Sequence, residues 1–538
     1  MRKSLRSFAP LRLCGKKKQT DFSKRILFIS LRPISRNSTM KDSPATDNND
    51  LASFGYRQEL KRSMGSFSSF AAGFSYISIL TGLFQMFHLG YGVAGPAFFW
   101  TWPLVLTGQF LVALCFAELA SRFPLSGGVY QWAKFTGNPF LGWMTGWIYL
   151  ACLITTIAAV AMALQVSLPQ ISSSFQIIGT SNDPKSVAMN AILLGSILIV
   201  TSTIVNARGI KLLALINNIG VFAELVGLVF LIVLLFLNRV RSPIEAVVNI
   251  QSAGPEFNSF PDVTILMAAT ALTASYVLYG FDTAGTLAEE THDPRKKAPR
   301  AILQALLAAG FAGLLVLLFA LMAVPDLGMP DLGTMRGGLP MLVKSVLGET
   351  TGSLFLCIVI FAIIVCTFAV QSGTVRLMFA MGRDGCLPFS ESLSEVSSKT
   401  QTPVLATLLC GLGAIIILGM NLQFPKVFEL VTSIAILWAN LAYWIVVALQ
   451  LKNRILSRRD GVDTDAPFHL GKWGFPVNIL ALIWSTFMVI NVSWPRTATY
   501  GSEWHQQYAA WIYTAGLICL GVFIYYYKLY KNKRQRIS

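Results

Sequence analysis

Residues 274–290 read ASYVLYGFDTAGTLAEE. This stretch lies within an apolar run, yet Gly, Ser and Thr interrupt it and Asp282 adds a carboxyl group. A second stretch of the same character, SSFAAGFSYISILTGLF, occupies residues 68–84. A membrane helix that is broken by small and hydroxyl residues frees backbone groups that only protein, water or a ligand can satisfy. The two stretches therefore decide the fold if both lie in a bilayer.

The composition indicates that they do. Of 538 residues, 54% are hydrophobic and 13% are charged, whereas a soluble domain carries about 25% charged residues. This balance excludes a soluble enzyme, a disordered protein and a nucleic-acid-binding domain, so we expect a lipid bilayer and no nucleic acid as partner. The eight cysteines form no CxxC pair and the four histidines have no ligand spacing, so we expect no metal site.

Twelve apolar stretches are long enough to cross a bilayer. Each is predicted to be a helix, because hydrocarbon offers the backbone no other hydrogen-bonding partner. The fold class is therefore all-α and polytopic. The predicted spans are residues 67–89, 93–118, 140–168, 187–206, 211–237, 263–287, 301–324, 353–381, 402–420, 427–450, 474–494 and 507–528.

The basic residues orient these spans. When the N-terminus is placed inside, the inner loops and tails hold 35 of the 43 Lys and Arg residues and the outer loops hold 7. Basic loops stay on the cytoplasmic side of membranes. We therefore predict that both termini are cytoplasmic, or on the matrix side if the membrane is mitochondrial.

The first 40 residues differ from the rest, with eleven Lys and Arg and a single acid, Asp21. A transit peptide, a disordered basic tail and an upstream extension before a start at Met40 all fit this pattern. We expect the plasma membrane as the location. Because of these basic first 40 residues, the mitochondrial inner membrane or the membrane of another organelle stays as an alternative location.

The two broken stretches fall in spans one and six, so they are five spans apart and run in opposite directions. This pattern predicts an inverted repeat with a transporter site between the breaks. A half-helix N-terminus attracts a carboxylate and freed carbonyls attract ammonium, so paired breaks suit a zwitterion. The predicted parts are a basic tail 1–65, a core 66–450 with repeats 66–238 and 262–450, and an accessory helix pair with a basic tail 451–538.

Several local motifs, in this order and spacing, resemble the amino acid–polyamine–organocation superfamily of transporters. The resemblance covers about residues 56–530, and the opening GYRQELKR with the Gly-Phe-Asp variant is most similar to the amino acid/choline transporter branch. The motifs are AELASRFPLSGGVY at 117–130, GFDTA at 280–284, Glu289-Glu-Thr291, Pro299-Arg300 and RLMFAMGRDGCLP at 376–388.

The resemblance implies the leucine-transporter fold, in which five-plus-five inverted helices are followed by two more. Spans 1, 2, 6 and 7 would rock against spans 3, 4, 8 and 9. It implies a secondary active transporter that moves amino acids or related amines by alternating access, with proton coupling or exchange. A carrier of choline, polyamines or γ-aminobutyrate is the alternative. A membrane enzyme or a receptor is disfavoured, and we expect no catalytic residue and no cofactor.

The same resemblance assigns the site residues. The first break would receive a substrate carboxylate, the second would lie near the amine, and Phe281 would be an aromatic gate. This sequence has Leu-Thr-Gly where the superfamily usually has Gly-Ser-Gly, which leaves room for a substrate without a carboxylate. The substrate-binding residues are then Ser78, Leu80, Thr81, Gly82, Tyr279, Gly280, Phe281 and Asp282.

Charged side chains within spans are costly and need a reason. Asp282 either binds a substrate ammonium or accepts hydrogen bonds from the freed N–H groups of its own break. Glu224 either titrates during the cycle and couples transport to protons or stays protonated between helices. Sodium is less favoured, because Ser372 and Thr374 are more typical of interhelical hydrogen bonding than of an ion site.

Glu118 and Arg122 lie four residues apart at the inner end of span two. This spacing predicts an ion pair along one helix face. The alternative is a latch at the inner gate.

Overall fold

The computed structural model describes residues 51–248, 266–269, 273–420, 427–457, 466–496 and 503–537. Within these ranges the regular elements are helices, and an isolated β-bridge joins Met64 to Thr291. The all-α prediction is confirmed for this part of the chain. The predicted leader, residues 1–40, lies outside the described residues.

The helices are named here in chain order. They are α1 (Ser66–Ile77), α2 (Ile79–Ala94), α3 (Thr101–Arg122), α4 (Gly128–Thr136), α5 (Pro139–Ala161), α6 (Ala163–Ile171), α7 (Pro184–Ala207), α8 (Ile210–Leu237), α9 (Pro243–Val247), α10 (Thr273–Val277), α11 (Thr283–Thr286), α12 (Pro294–Ala323), α13 (Gly338–Leu347), α14 (Glu349–Arg383), α15 (Ser390–Leu393), α16 (Val404–Gly419), α17 (Val427–Ser457), α18 (Gly474–Ser493), α19 (Trp504–Gln507) and α20 (Ala509–Ile537).

Nine helical segments of the described residues are long and apolar enough to cross a membrane. The first, Ser66–Arg122, contains α1, α2 and α3 and so covers two predicted spans. The predicted span 402–420 corresponds to the shorter helix α16, and span 263–287 lies partly outside the described residues. The chain is a multi-pass membrane protein, and its twelve-span topology stays a prediction.

Helices beside the broken segments begin where the sequence supplies a cap. At the start of α5, the Asn138 side chain accepts a hydrogen bond of 2.8 Å from the Leu141 N–H. At the start of α7, Asp183 accepts one of 3.0 Å from the Ser186 N–H. Both caps are followed by a proline at the first helical position, where a missing N–H costs nothing. These local signals fix where the two helices begin.

Two groups of helices pack around the breaks. In one, α12 packs on α1, α3 and α11; in the other, α5, α7, α14 and α16 pack on one another. Helix α8 lies against α1, α12 and α14, and α17 lies against α5 and α18. Helix α8 buries Glu224 at 3% exposure while Phe222 is 67% exposed. An apolar outward face with a polar inward face is what a bilayer requires.

Candidate functional site

The first helix break is centred on Ser78, between α1 and α2. Its backbone has φ +31°, a left-handed value that is unusual for a residue with a side chain. The Ser78 N–H closes α1 by donating to the Phe74 carbonyl (2.8 Å), and the Ser78 carbonyl opens α2 by accepting from the Gly82 N–H (2.9 Å). The Ser78 hydroxyl lies 2.7 Å from that of Thr81. A single serine therefore ends one helix and begins the next.

Glu224 reaches this break from α8. Its Oε1 atom accepts hydrogen bonds from the Leu80 N–H (3.1 Å) and from the Ser78 hydroxyl (3.0 Å). A helix N-terminus carries a partial positive charge and unpaired N–H groups, so it favours a carboxylate at this position. The carboxyl group that occupies the N-terminus of α2 therefore belongs to the protein itself.

The second break lies between α10 and α11. Gly280 adopts φ +83°, and a Cβ atom added there would lie 1.8 Å from the Tyr76 ring. The Gly280 N–H donates to the Tyr443 hydroxyl at 3.0 Å. Only glycine fits this position, because both the backbone angle and the close approach of Tyr76 exclude a side chain. The two breaks thus meet through Tyr76 and Gly280.

Asp282 follows Gly280 and is fully buried. Its Oδ1 atom accepts a hydrogen bond of 2.6 Å from the Tyr149 hydroxyl and another from the Tyr443 hydroxyl. The carboxyl group makes no N-cap hydrogen bond to α11, but it interacts with the N–H of Asp282 itself, which belongs to the same break. Both roles that the sequence left open for Asp282 therefore stay open. No Lys, Arg or His pairs with it among the described residues.

Five buried tyrosines surround the two breaks. The rings of Tyr76 and Tyr276 lie 5.9 and 6.1 Å from the ring of Tyr279, and those of Tyr149 and Tyr443 lie 5.8 Å apart. The Tyr279 hydroxyl is also 2.8 Å from that of Thr156, on α5. Sequence reasoning identified only Tyr279. The available signal for the others was a phenol in the middle of an otherwise apolar helix, which needs a partner for its hydroxyl.

Comparison with known proteins decides the family. The sequence model of the amino acid permeases matches residues 64–523, which include both breaks. The chain belongs to the amino acid permease family. The permease is similar to the amino-acid permease BAT1 of Arabidopsis thaliana, with 27% identity over 83% of the chain and 89% of that protein.

Two fungal relatives are similar over comparable lengths. Amino-acid permease 2 of Neurospora crassa is 27% identical, over 88% of this permease and 86% of its own length. The GABA-specific permease of Saccharomyces cerevisiae is 24% identical, over 90% and 85% respectively. The family resemblance and the transporter function predicted from the motifs are confirmed.

Several buried polar atoms of the permease have no hydrogen-bond partner among the described residues. Next to the breaks these are the hydroxyls of Ser75, Tyr76 and Tyr276. On α14 the Ser372 hydroxyl also lacks a hydrogen-bond partner among the described residues. The Thr374 hydroxyl donates to the Val370 carbonyl of its own helix at 2.8 Å. Buried polar groups in proteins are normally paired. The interhelical hydrogen bonds expected for Ser372 and Thr374 are therefore not found in this part of the chain.

The remaining predicted residues of the breaks lie in tight packing. A Cβ atom at Gly82 would lie 2.6 Å from Val277, so the start of α2 contacts the end of α10. Phe281, the predicted gate, is buried with its ring 5.4 Å from Tyr443 and 5.9 Å from Phe116. Its gating role stays a prediction.

The partner of Glu118 differs from the expected one. Its Oε2 atom pairs with Arg454 and accepts a hydrogen bond of 3.0 Å from Gln450, both on α17. The spacing had suggested Arg122 on the same helix. Glu118 therefore ties α3 to α17, because packing brings α17 beside the end of α3 and a sequence pattern cannot show this.

A set of ion pairs, which the sequence pattern did not predict, lies at the same end of the permease as α4. We name it the charge lock. Arg376 binds both carboxylate oxygens of Glu290, at 2.9 and 3.2 Å, and both residues are buried. Arg383 does the same with Glu289, at 2.8 and 3.0 Å. The available signal was that all four residues fall in or beside the motifs that resemble the transporter superfamily.

The charge lock continues at Asp384 and the segment before α1. Asp384 accepts hydrogen bonds from Lys134 (2.7 Å), Tyr130 (2.7 Å) and Tyr56 (2.8 Å). Burial lowers the pKa of Lys134, but Asp384 and then Tyr56 outweigh it and leave the pKa above its ordinary value. Burial and the Asp384 carboxylate raise the pKa of Tyr56. The ammonium group therefore stays charged and the phenol stays neutral at physiological pH.

Proposed function

We propose that this permease binds an amino acid between its two helix breaks and carries it across the membrane by alternating access. The observation that supports this most is that the hydroxyls of Ser75, Tyr76 and Tyr276, beside the breaks, have no hydrogen-bond partner among the described residues. Each such group costs about 1–3 kcal/mol when it lacks a partner. A polar ligand recovers this free energy by supplying donors and acceptors.

The second break suits the ammonium group of the substrate. Asp282 has two hydroxyl donors but no cation among the described residues, and the tyrosine rings of the site attract positive charge through their faces. The amino group thus binds at Asp282, beside Tyr76 and Tyr279. Phe281 closes over it as the gate.

A second candidate is a carrier of amines or of γ-amino acids. The observation that favours it is Glu224, which occupies the N-terminus of α2 where an α-carboxylate would otherwise bind. A relative is named as a GABA-specific permease. The proposed coupling ion is a proton, with Glu224 and Ser372 as candidate coupling residues and sodium less favoured.

We propose twelve spans, in two inverted repeats of five and an accessory pair, with the domain bounds predicted from the sequence. Both termini then lie on the cytoplasmic side, or on the matrix side in mitochondria. The plasma membrane is the proposed location. Labelling of single cysteines placed at residues 185, 336 and 472 from either side of sealed vesicles tests this: residues 185 and 336 should label together, and 472 from the opposite side. Any other grouping contradicts the topology.

Uptake into proteoliposomes tests the function. Purified protein is supplied with labelled L-alanine, γ-aminobutyrate, choline and spermidine in turn, with protein-free vesicles as the control. A carrier gives saturable uptake that unlabelled substrate inside the vesicles accelerates. Uptake of L-alanine supports the first candidate, whereas uptake of γ-aminobutyrate, choline or spermidine without uptake of L-alanine supports the second. Flux that fails to saturate for every compound contradicts both.

A further inference from the structure

The start of α2 is a carboxylate site that is already filled. The Leu80 N–H donates to Glu224, the Thr81 N–H to the Ser78 hydroxyl at 3.4 Å, and the Gly82 N–H to the Ser78 carbonyl at 2.9 Å. Helix α2 is 16 residues long and buried at its start, so its N-terminus is a strong anion site. The Glu224 side chain shows that a carboxyl group fits it.

Two ionised carboxylates cannot share this position. Both would lie within a few ångströms of each other in a buried region, where like charges repel strongly and water does not screen them. A substrate carboxylate therefore binds at Leu80 and Ser78 only when Glu224 withdraws or loses its charge. Protonation does both, because a carboxylic acid is neutral and binds the N-terminus less strongly.

The surroundings of Glu224 leave it as the group that changes charge. Among the described residues, α1, α7, α12 and α14 pack against α8, and the start of α2 contacts Glu224 through the Leu80 N–H. The titratable residues of α2 are His88 and Tyr91, which lie at least two turns beyond Leu80. The titratable residue that interacts electrostatically with Glu224 is Cys366 on α14, which itself donates to the Tyr76 carbonyl at 3.4 Å.

The other titratable side chains on these four helices do not contact Glu224 in the described structure. On α12 these side chains lie within the first two turns, and on α7 the single one lies at the start of the helix. On α14 they lie towards the helix ends or in the charge lock. They are Tyr76 on α1, Lys185 on α7, Arg295, Lys296, Lys297 and Arg300 on α12, and Glu349, Cys357, Arg376 and Arg383 on α14.

We propose that Glu224 is an internal competitor of the substrate carboxylate for the N-terminus of α2, so that a carboxylate-bearing substrate binds together with one proton. The inference rests on the proposed function, since it concerns the same site. When the substrate binds, the ionised Glu224 takes up one proton and releases the Leu80 N–H and the Ser78 hydroxyl. These two groups then donate hydrogen bonds to the substrate carboxylate. When the substrate leaves, Glu224 loses the proton and returns.

This exchange separates two classes of ligand. Amino acids with a free carboxylate bind with proton uptake. Amines and amides bind at Asp282 without displacing Glu224, and therefore without a proton on Glu224. Any proton that Asp282 exchanges when it binds the ammonium group is the same for an acid and its amide. The carboxylate alone makes the difference, so an acid and its amide form a matched pair of probes.

Titration calorimetry of the purified, detergent-solubilised protein measures the protons. γ-Aminobutyrate and 4-aminobutanamide are titrated at pH 7 in buffers with different heats of ionisation, and L-alanine with L-alaninamide serves as a second pair. We expect each acid to take up more protons than its amide, by up to one proton for each molecule bound. Equal proton uptake for the acid and the amide, or none for either, would overturn the inference. This comparison needs no variant, so it remains decisive if variants fold poorly.

The variant Glu224→Gln extends the test. It should bind the acid and its amide with equal proton uptake, and the ratio of the two affinities should change less than twofold between pH 5.5 and 8. The exposed Glu245 gives the matched control, because Glu245→Gln makes the same chemical change at the capping box of α9. It should behave as the wild type. An excess of proton uptake for the acid over its amide that persists in Glu224→Gln contradicts the inference. Failure of every probe to bind or to be transported contradicts the proposed function instead.

Discussion

At the first break, a carboxyl group from another helix accepts hydrogen bonds from the broken helix. At the second break, the carboxyl group belongs to the broken helix itself, and hydroxyl groups from other helices donate hydrogen bonds to it. Glu224 of α8 accepts from the Leu80 N–H, whereas Asp282 accepts from Tyr149 of α5 and Tyr443 of α17. Backbone groups freed in a membrane must be paired in both places. The two breaks meet this requirement with opposite arrangements.

The difference has a consequence for transport. A proton can release the first break without any movement of α1 or α2, because only the Glu224 side chain has to change. The second break depends on the positions of Tyr149 and Tyr443, which belong to two further helices. We therefore expect the first break to respond to pH and the second to respond to helix movement.

The largest effect should follow from a side chain at the contact between the breaks. In Gly280→Ala, the new Cβ atom overlaps the Tyr76 ring and the residue must hold φ +83°. Overpacking and backbone strain together should destabilise the closed contact between the two breaks by about 3 kcal/mol. If transport passes through this contact, uptake should fall roughly 100-fold. Initial uptake rates in proteoliposomes measure this.

Gly516→Ala is the matched control, because no atom lies within 4 Å of a Cβ atom added there. Its uptake should equal that of the wild type. If Gly280→Ala transports at a rate within twofold of wild type, the close contact between the breaks is not part of the transport cycle.

The next effect concerns the first break. Glu224→Ala leaves the Leu80 N–H and the Ser78 hydroxyl without their acceptor, which should lower the free energy of unfolding by about 2 kcal/mol. Glu224→Gln keeps a carbonyl acceptor and should lose less than about 1 kcal/mol. Thermal unfolding in detergent measures both. Equal midpoints for the Ala and Gln variants would show that Glu224 does not hold this break.

At the second break, the two tyrosines provide an internal comparison. The Tyr443 hydroxyl donates a hydrogen bond to Asp282 and also accepts one from the Gly280 N–H at 3.0 Å. The Tyr149 hydroxyl donates to Asp282 but makes no hydrogen bond to Gly280 in the described structure. Tyr443→Phe should therefore reduce uptake about 10-fold and Tyr149→Phe about threefold, since each lost hydrogen bond costs about 0.7 kcal/mol. The reverse order would contradict the described geometry of the break.

The smallest effect should come from the charge lock, outside both breaks. The pKa of Lys134 is raised above 10.5 in the folded state. Its contribution to stability is therefore complete below that pH and is lost only as the pH rises through the raised pKa. Lys134→Gln should lower stability by less than about 1 kcal/mol, by the same amount at pH 6 and pH 9. A difference that changes between these two pH values would place a pH-sensitive group in the charge lock.

Much of the fold and part of the site could be predicted from the sequence. The length of the apolar runs predicted helices, and the small and hydroxyl residues predicted a break within each of the stretches 68–84 and 274–290. The resemblance placed the first break at Leu80-Thr81-Gly82, whereas the structure centres it on Ser78. Local chemistry is enough for these features, because they depend on residues within one helix. The motif order also identified the family, which the match over residues 64–523 confirms.

The partners of the charged groups could not be predicted in this way. Glu224 lies 144 residues from Leu80, and Glu118 lies 336 residues from Arg454. Spacing along one helix suggested Arg122 for Glu118, yet the observed partner belongs to α17. Sequence periodicity describes one helix at a time, whereas these contacts depend on which helices are neighbours.

The sequence by itself therefore determined that this protein is a helical membrane transporter with two interrupted helices, because bilayer insertion and helix breaking are local properties of the chain. Only the tertiary structure decided which group fills each interruption. Packing of α8, α5 and α17 against the broken helices placed Glu224 at one break and two tyrosine hydroxyls at the other, and a buried polar group takes the nearest partner that packing provides.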